Sequence, residues 1–161
     1  MIELKNFTDL TTDERAMVLT WRNDIRIRSF MYTDELISQN DHENFINSLH
    51  QRNDRRYFVV YKNSAPIGVV DLVDITDTSA TLGVYANPFS DRKGIGRIIL
   101  RALIRYAYET LHLTTLRLEC FEDNEKAQIL YQKFNFTETK RSTKYNKTII
   151  CMEHYREYWN I

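Results

Sequence analysis

The chain has 161 residues, 43% hydrophobic and 27% charged, the size and make-up of one globular domain rather than of a disordered or membrane-embedded chain. Its 22 Lys plus Arg balance 22 Asp plus Glu, so no net field draws it toward nucleic acid or an anionic membrane, and neither is expected as a partner. Cys120 and Cys151 lack CxxC or metal-ligand spacing, and the opening Met1-Ile2-Glu3-Leu4-Lys5 has no apolar signal core. The expectation is therefore a cytoplasmic protein whose cysteines are small buried hydrophobes in strands.

In chain order, Ile2 to Phe7 reads as a strand. Thr11 with Glu14 three residues on forms a capping box that opens a helix to about Asn23. After a polar-aromatic loop, a second helix is predicted from Ser38, with Phe45, Ile46 and Leu49 on one face. Tyr57 to Tyr61 alternates too little for a half-exposed strand and reads as buried on both faces. Asn63-Ser64 turns it into a partner strand, Ile67 to Val73. Thr81 to Ala86 completes an antiparallel meander that must stop at Asn87-Pro88. Ile95, Ile98, Ile99, Ala102, Leu103 and Tyr106 then fall on one helical stripe, with Arg97, Arg101 and Arg105 on the wet face. A strand over Thr115 to Cys120, a short amphipathic helix after Asp123-Asn124, and strands near Phe136 to Arg141 and Thr148 to His154 follow. The whole reads as a single domain, 1–161, of the α/β (α+β) class. Its central sheet is mixed, mainly antiparallel and of about seven strands, with about four helices on both faces.

Two of only four glycines, Gly94 and Gly96, stand one residue apart where a strand gives way to the strongest helix. Glycine lets a ligand approach the main chain, so Arg92-Lys93-Gly94-Ile95-Gly96-Arg97 can turn several N–H groups toward one anion, aided by the helix dipole. A tight turn alone would also explain the pair. A dinucleotide fingerprint would need a small residue at Ile99, and a P-loop would need Lys-Ser or Lys-Thr after the second glycine; both fail.

Asp91-Arg92-Lys93-Gly94-Ile95-Gly96 resembles the pyrophosphate motif of the GNAT acetyltransferases, (Gln/Arg)-x-x-Gly-x-(Gly/Ala), with Asp91 at the Gln/Arg position. A carboxylate repels a diphosphate, so Asp91 is expected to turn away. Asn124-Glu125-Lys126-Ala127-Gln128-Ile129-Leu130-Tyr131-Gln132-Lys133-Phe134-Asn135-Phe136 resembles the second signature, Asn-x-x-(Ala/Ser)-x-x-Leu-Tyr-x-x-x-Gly-Phe. Asn135 replaces the glycine there, and asparagine tolerates the left-handed conformation that ends a helix. The resemblance implies a GNAT fold and acetyl-CoA as cofactor. Its arm would lie along Leu82, Gly83, Val84 and Tyr85, with Gly83 supplying a bulge. Arg92, Lys93, Gly94, Ile95, Gly96 and Arg97 would hold its diphosphate, and Asn124, Ala127 and Tyr131 would close the site. Tyr131 would be a catalytic acid for the departing thiolate, although spacing alone also fits a core tyrosine.

Trp21-Arg22-Asn23, Phe30-Met31-Tyr32, His42-Glu43-Asn44-Phe45-Ile46 and Tyr85-Ala86-Asn87-Pro88 narrow the resemblance. They are similar to the branch holding ribosomal-protein acetyltransferases and, more closely, the UDP-amino-sugar acetyltransferases of the pseudaminic acid pathway. That implies transfer to the 4-amino group of UDP-4-amino-4,6-dideoxy-N-acetyl-β-L-altrosamine, serving flagellin glycosylation. Arg22 and His42 would bind the nucleotide sugar, with His42 also a proton acceptor. Met31, Tyr32, Phe45 and Tyr85 would form an apolar wall, although Met31 and Phe45 read equally as core. Trp21 could stack on uracil or be buried in its helix. No metal is expected, and the protein would be a monomer or homodimer, its aromatic tail Tyr155 to Ile161 packing on a partner or on its own sheet. Two rivals remain: a ribosomal-protein or peptide N-terminal acetyltransferase, and an acyl-CoA-binding module without transferase activity.

Overall fold

The computed structural model describes residues 1–159; of the tail, Asn160 and Ile161 lie outside the described residues. Seven strands form one sheet in the order β1-β2-β3-β4-β5-β7-β6. They are β1 (Ile2–Asn6), β2 (Arg56–Lys62), β3 (Ala65–Val73), β4 (Ser79–Ala86), β5 (Thr115–Phe121), β6 (Thr137–Lys144) and β7 (Lys147–Tyr155). Every pairing is antiparallel except β4 with β5. The helices are α1 (Thr12–Asn23), α2 (Ile25–Arg28), α3 (Gln39–Ser48), α4 (Ile95–Arg105) and α5 (Glu125–Lys133). That is one more than expected: α2 is a single turn started by the Asp24 side chain, too short to show a hydrophobic period. No helix among the described residues is long and apolar enough to cross a membrane.

Alternation along β2 and β3 sorts the core into two layers. Phe58, Val60, Val70 and Leu72 pack with Ile99, Leu100, Leu103 and Ile104 of α4 and with Tyr131 of α5. Val59 and Val69 face the other way, onto Val18 and Trp21 of α1 and Ile46 of α3. Trp21 is therefore core, 3% exposed. Each fully buried Leu or Ile stabilises the fold by roughly 1.5–3 kcal/mol, which makes the α4 stripe the chief anchor of its layer. After Arg105 the helix widens into a π-helical turn, Tyr106–Thr110, that the 3.6-residue period does not foretell.

Local signals act where expected. Thr11 and Glu14 make the reciprocal capping box. Asn63 and Ser64 take φ of 49° and 70° in the β2–β3 turn, the geometry that suits the twist of a tight hairpin. Asn135 has φ of 67°; its N–H bonds to the Gln132 carbonyl, and that of Phe136 to Tyr131, which closes α5 in a Schellman motif. Cys120 and Cys151 are free and lie in β5 and β7. Trp159, in the tail, packs on the core beside Tyr108.

The expected bulge at Gly83 is absent. β3 and β4 pair without a register shift there, with Asp71 opposite Gly83. Glycine is needed for space instead: a Cβ at position 83 would lie 2.7 Å from Asp71 Oδ2. The strands still part on the other side of β4, because β4 and β5 pair only from Ser79–Thr81 to Thr115–Arg117. From Leu82 to Ala86 the β4 edge toward β5 has no strand partner.

Candidate active site

The split between β4 and β5 joins two concavities. One, of about 650 Å³, runs past Val84, Tyr85 and Ala86 to the start of α4 and is closed by Asn124, Ala127 and Tyr131. The other, of about 500 Å³, lies on the α1/α3 side of the sheet. Val84, Tyr85, Asn124 and Tyr131 line both, so whatever occupies one concavity can meet an occupant of the other there.

In the first groove, Gly94 adopts φ of 77° and caps α4 without a side-chain hydrogen bond, whereas Thr11, Ser38 and Asn124 each cap their helix with a side chain. The first-turn amides of α4 thus remain open to an external acceptor. Arg92, Lys93, Arg97 and Lys126 surround them, giving the setting an anionic diphosphate needs. A Cβ on Gly96 would come 3.1 Å from Leu130 Cδ2, so the second glycine lets α5 approach. Asp91 is exposed and outside the groove lining. The open edge of β4 offers main-chain partners for an extended amide-bearing arm. These features fit coenzyme A. Asn124 Oδ1 accepts from the Ala127 N–H at 3.3 Å, which leaves its amide NH₂ for the groove.

Tyr131 is 7% exposed. Burial, with Cys120 and Asp71 adding to it, pushes its phenol above the usual range, so it stays protonated at neutral pH and can give a proton to a leaving group. Burial likewise raises Tyr85.

The second cavity gathers Arg22, Met31, His42, Phe45 and Tyr85, together with Leu82 and Gly83, which line this side rather than the cofactor groove. His42 Nε2 donates to the Arg15 carbonyl at 2.9 Å, leaving Nδ1 as the ring's acceptor. Phe45 meets Tyr57 edge-on, centroids 5.0 Å apart. Arg22 has a buried Nη1 with no hydrogen-bond partner. Burial lowers its pKa, with Tyr85 and Tyr57 pulling the other way, and the guanidinium remains charged. Tyr32 is not brought to the lining: its hydroxyl donates to Glu119 and its ring stacks on Tyr145 at 5.3 Å. Sequence reasoning missed Asp71, Glu119 and Cys120, all of which line the cavity. Asp71 had a signal, being the one charge in the run Ile67 to Val73.

A strand edge left open by diverging neighbours, beside an uncapped helix start ringed with cations and opening onto a second cavity, is the architecture of a transferase that draws on a diphosphate-bearing carrier. The chain belongs to the GNAT acetyltransferases: the family model "Acetyltransferase (GNAT) family" matches residues 18–136. It is similar to "Acetyltransferase PseH" of Campylobacter jejuni, at 42% identity over 137 residues, 85% of either chain. The structure of C. jejuni N-acetyltransferase PseH in complex with acetyl coenzyme A superposes with a TM-score of 0.80, at 33% identity, over 97% of this chain and 99% of that one. Spermidine N-acetyltransferase from Vibrio cholerae, in complex with CoA and spermine, shares the fold with a TM-score of 0.87 at 22% identity, over 99% and 98% of the two chains.

Proposed function

We propose that this protein transfers the acetyl group of acetyl-CoA to the 4-amino group of UDP-4-amino-4,6-dideoxy-N-acetyl-β-L-altrosamine, a step of pseudaminic acid biosynthesis for flagellin glycosylation. The observation that carries the acceptor class is the unpartnered, buried Arg22 Nη1 in the cavity across from the cofactor groove. A buried guanidinium N–H without a partner is costly unless an anion completes it, and a nucleotide diphosphate is such an anion. Arg26 lines the same cavity. Met31, Phe45 and Tyr85 supply the apolar wall that a deoxy sugar's methyl and acetyl groups fill.

Acetyl-CoA, when bound, supplies an acetyl group activated as a thioester. The α4 amides with Arg92, Lys93 and Arg97 hold the diphosphate end, and the open β4 edge orients the arm. Arg22 and His42 hold the nucleotide end of the acceptor, and Tyr131 gives its proton to the departing sulfur. Holding both reactants at the split converts a two-body encounter into a one-body step, without a covalent enzyme intermediate.

The test is a comparison of initial rates with acetyl-CoA and three acceptors: the UDP-amino sugar, spermidine and an N-terminal peptide. The UDP-amino sugar is expected to exceed both others in kcat/KM by at least about 100-fold, the scale on which an unpaired buried charge discriminates. A faster rate on the peptide or the polyamine would overturn the acceptor assignment.

A further inference from the structure

We infer that Asp71 is the proton acceptor for the incoming amine, an assignment that rests on the acyl-transfer reading of the site. Asp71 and Glu119 are the two carboxylates lining the acceptor cavity. Glu119 is committed elsewhere: it accepts from the Tyr32 hydroxyl, from Lys144 Nζ at 3.3 Å and from Cys151 Sγ at 3.7 Å. Those bonds hold its carboxyl below the usual range despite burial, which makes it a weak base. Asp71 has no ion-pair partner within 4 Å among the described residues.

Register aims it. Tyr57, Asp71 and Gly83 form one row across β2, β3 and β4. Asp71 leans over Gly83, where any Cβ would meet its Oδ2 at 2.7 Å. The carboxylate therefore lies over β4 at Gly83, in the acceptor cavity, next along the strand from Val84 and Tyr85, which line both concavities. The groups acting on it or on its neighbours are Arg55 and Tyr57 from the β2 side, Tyr85 from β4 and Tyr131 from α5, with Arg22 of α1 beside Tyr57 and Tyr85 in the same cavity. Burial raises the carboxyl to about 7, with Arg55 pulling the other way, which suits a base working near neutrality. His42, its Nε2 donating to the Arg15 carbonyl, keeps Nδ1 as an acceptor in the same cavity, and it is the rival base that pH profiles separate from Asp71.

The acceptor's ammonium loses one proton to a carboxylate oxygen of Asp71, and the freed lone pair forms the N–C bond. The C–S bond breaks with its electron pair on sulfur, which takes the Tyr131 hydroxyl proton. The amide nitrogen's surplus proton and that on Asp71 then pass to solvent and to the Tyr131 phenolate.

The experiment is kcat against pH, from about 5.5 to 9, for the wild type, Asp71→Asn and His42→Asn on the best acceptor of the rate panel above. The wild type is expected to show a rising limb centred near 7. Asp71→Asn is expected to lose that limb and at least about 100-fold in kcat, with KM for acetyl-CoA within about threefold and no loss of thermal stability. His42→Asn is expected to raise KM for the acceptor and keep the limb. Asp71→Asn retaining the limb or the wild-type kcat, or His42→Asn abolishing the limb, would overturn the assignment. The choice of acceptor fails separately, on the wild-type panel alone.

Discussion

Asp71 should destabilise the folded protein at alkaline pH, and removing its charge should reveal by how much. Burial moves its carboxyl from 3.8 to about 7. A carboxyl more basic in the fold than in the unfolded chain binds its proton more tightly when folded. The penalty is thus absent below the unfolded value, grows between 3.8 and about 7, and is complete above that. Three pKa units correspond to about 4 kcal/mol. Asp71 is only half-buried, so solvent screening brings this to about 2 kcal/mol. For a chain of this size that amounts to roughly 4–8 °C in Tm. Asp71→Asn keeps the shape and cannot ionise, so its Tm advantage over the wild type should grow from about 1.5–3 °C at pH 5, where about two-fifths of the penalty has developed, to about 4–8 °C at pH 8.5. Paired calorimetric scans cancel every other titration. A Tm difference that stays constant across that range would refute both the raised carboxyl and the basis for its role as proton acceptor.

Tyr131→Phe should lower kcat by about 10²–10⁴ while changing the acetyl-CoA KM little, as steady-state kinetics would show. Gly94→Ala should lose about 1–2 kcal/mol in chemical denaturation, from φ of 77° alone, because a Cβ there meets nothing within 4 Å; Gly94→Asn should recover most of it. Arg22→Met should raise the acceptor KM about 10–100-fold with kcat nearly unchanged, the mark of lost uniform binding. In the core, Tyr108 donates to or accepts from His154 Nδ1 at 2.7 Å, where burial holds the imidazole below its ordinary pKa. Tyr108→Phe should therefore destabilise by about 1–3 kcal/mol in denaturant titrations at pH 8, where the imidazole is neutral.

The elements legible in the sequence are those whose signals are local. Thr11 and Glu14 satisfy each other within one turn, Ile95 to Leu103 repeat at the helical period, and Asn135 ends α5 because its own φ is tolerable. The uncapped glycine start of α4 belongs to this class, and with it half of the site. What escaped depends on distant register. Gly83 reads as a bulge until Asp71, twelve positions earlier, is seen to lean over it. Tyr32 reads as a cavity wall until Glu119 and Tyr145 are seen to claim it. The Asp71 carboxylate stands inside the predicted strand Ile67 to Val73, and only the register with Tyr57 and Gly83 shows it lining a cavity. α2 and the π-helical turn after α4 are too short to leave a period.

The transfer itself is tested most directly with acetyl-CoA labelled at its carbonyl carbon. After incubation with the protein and the UDP-amino sugar, the label is expected in an amide on the sugar's 4-nitrogen, visible by carbon NMR of the purified product. Label recovered only as unreacted thioester or free acetate, from protein shown to be folded, would contradict it.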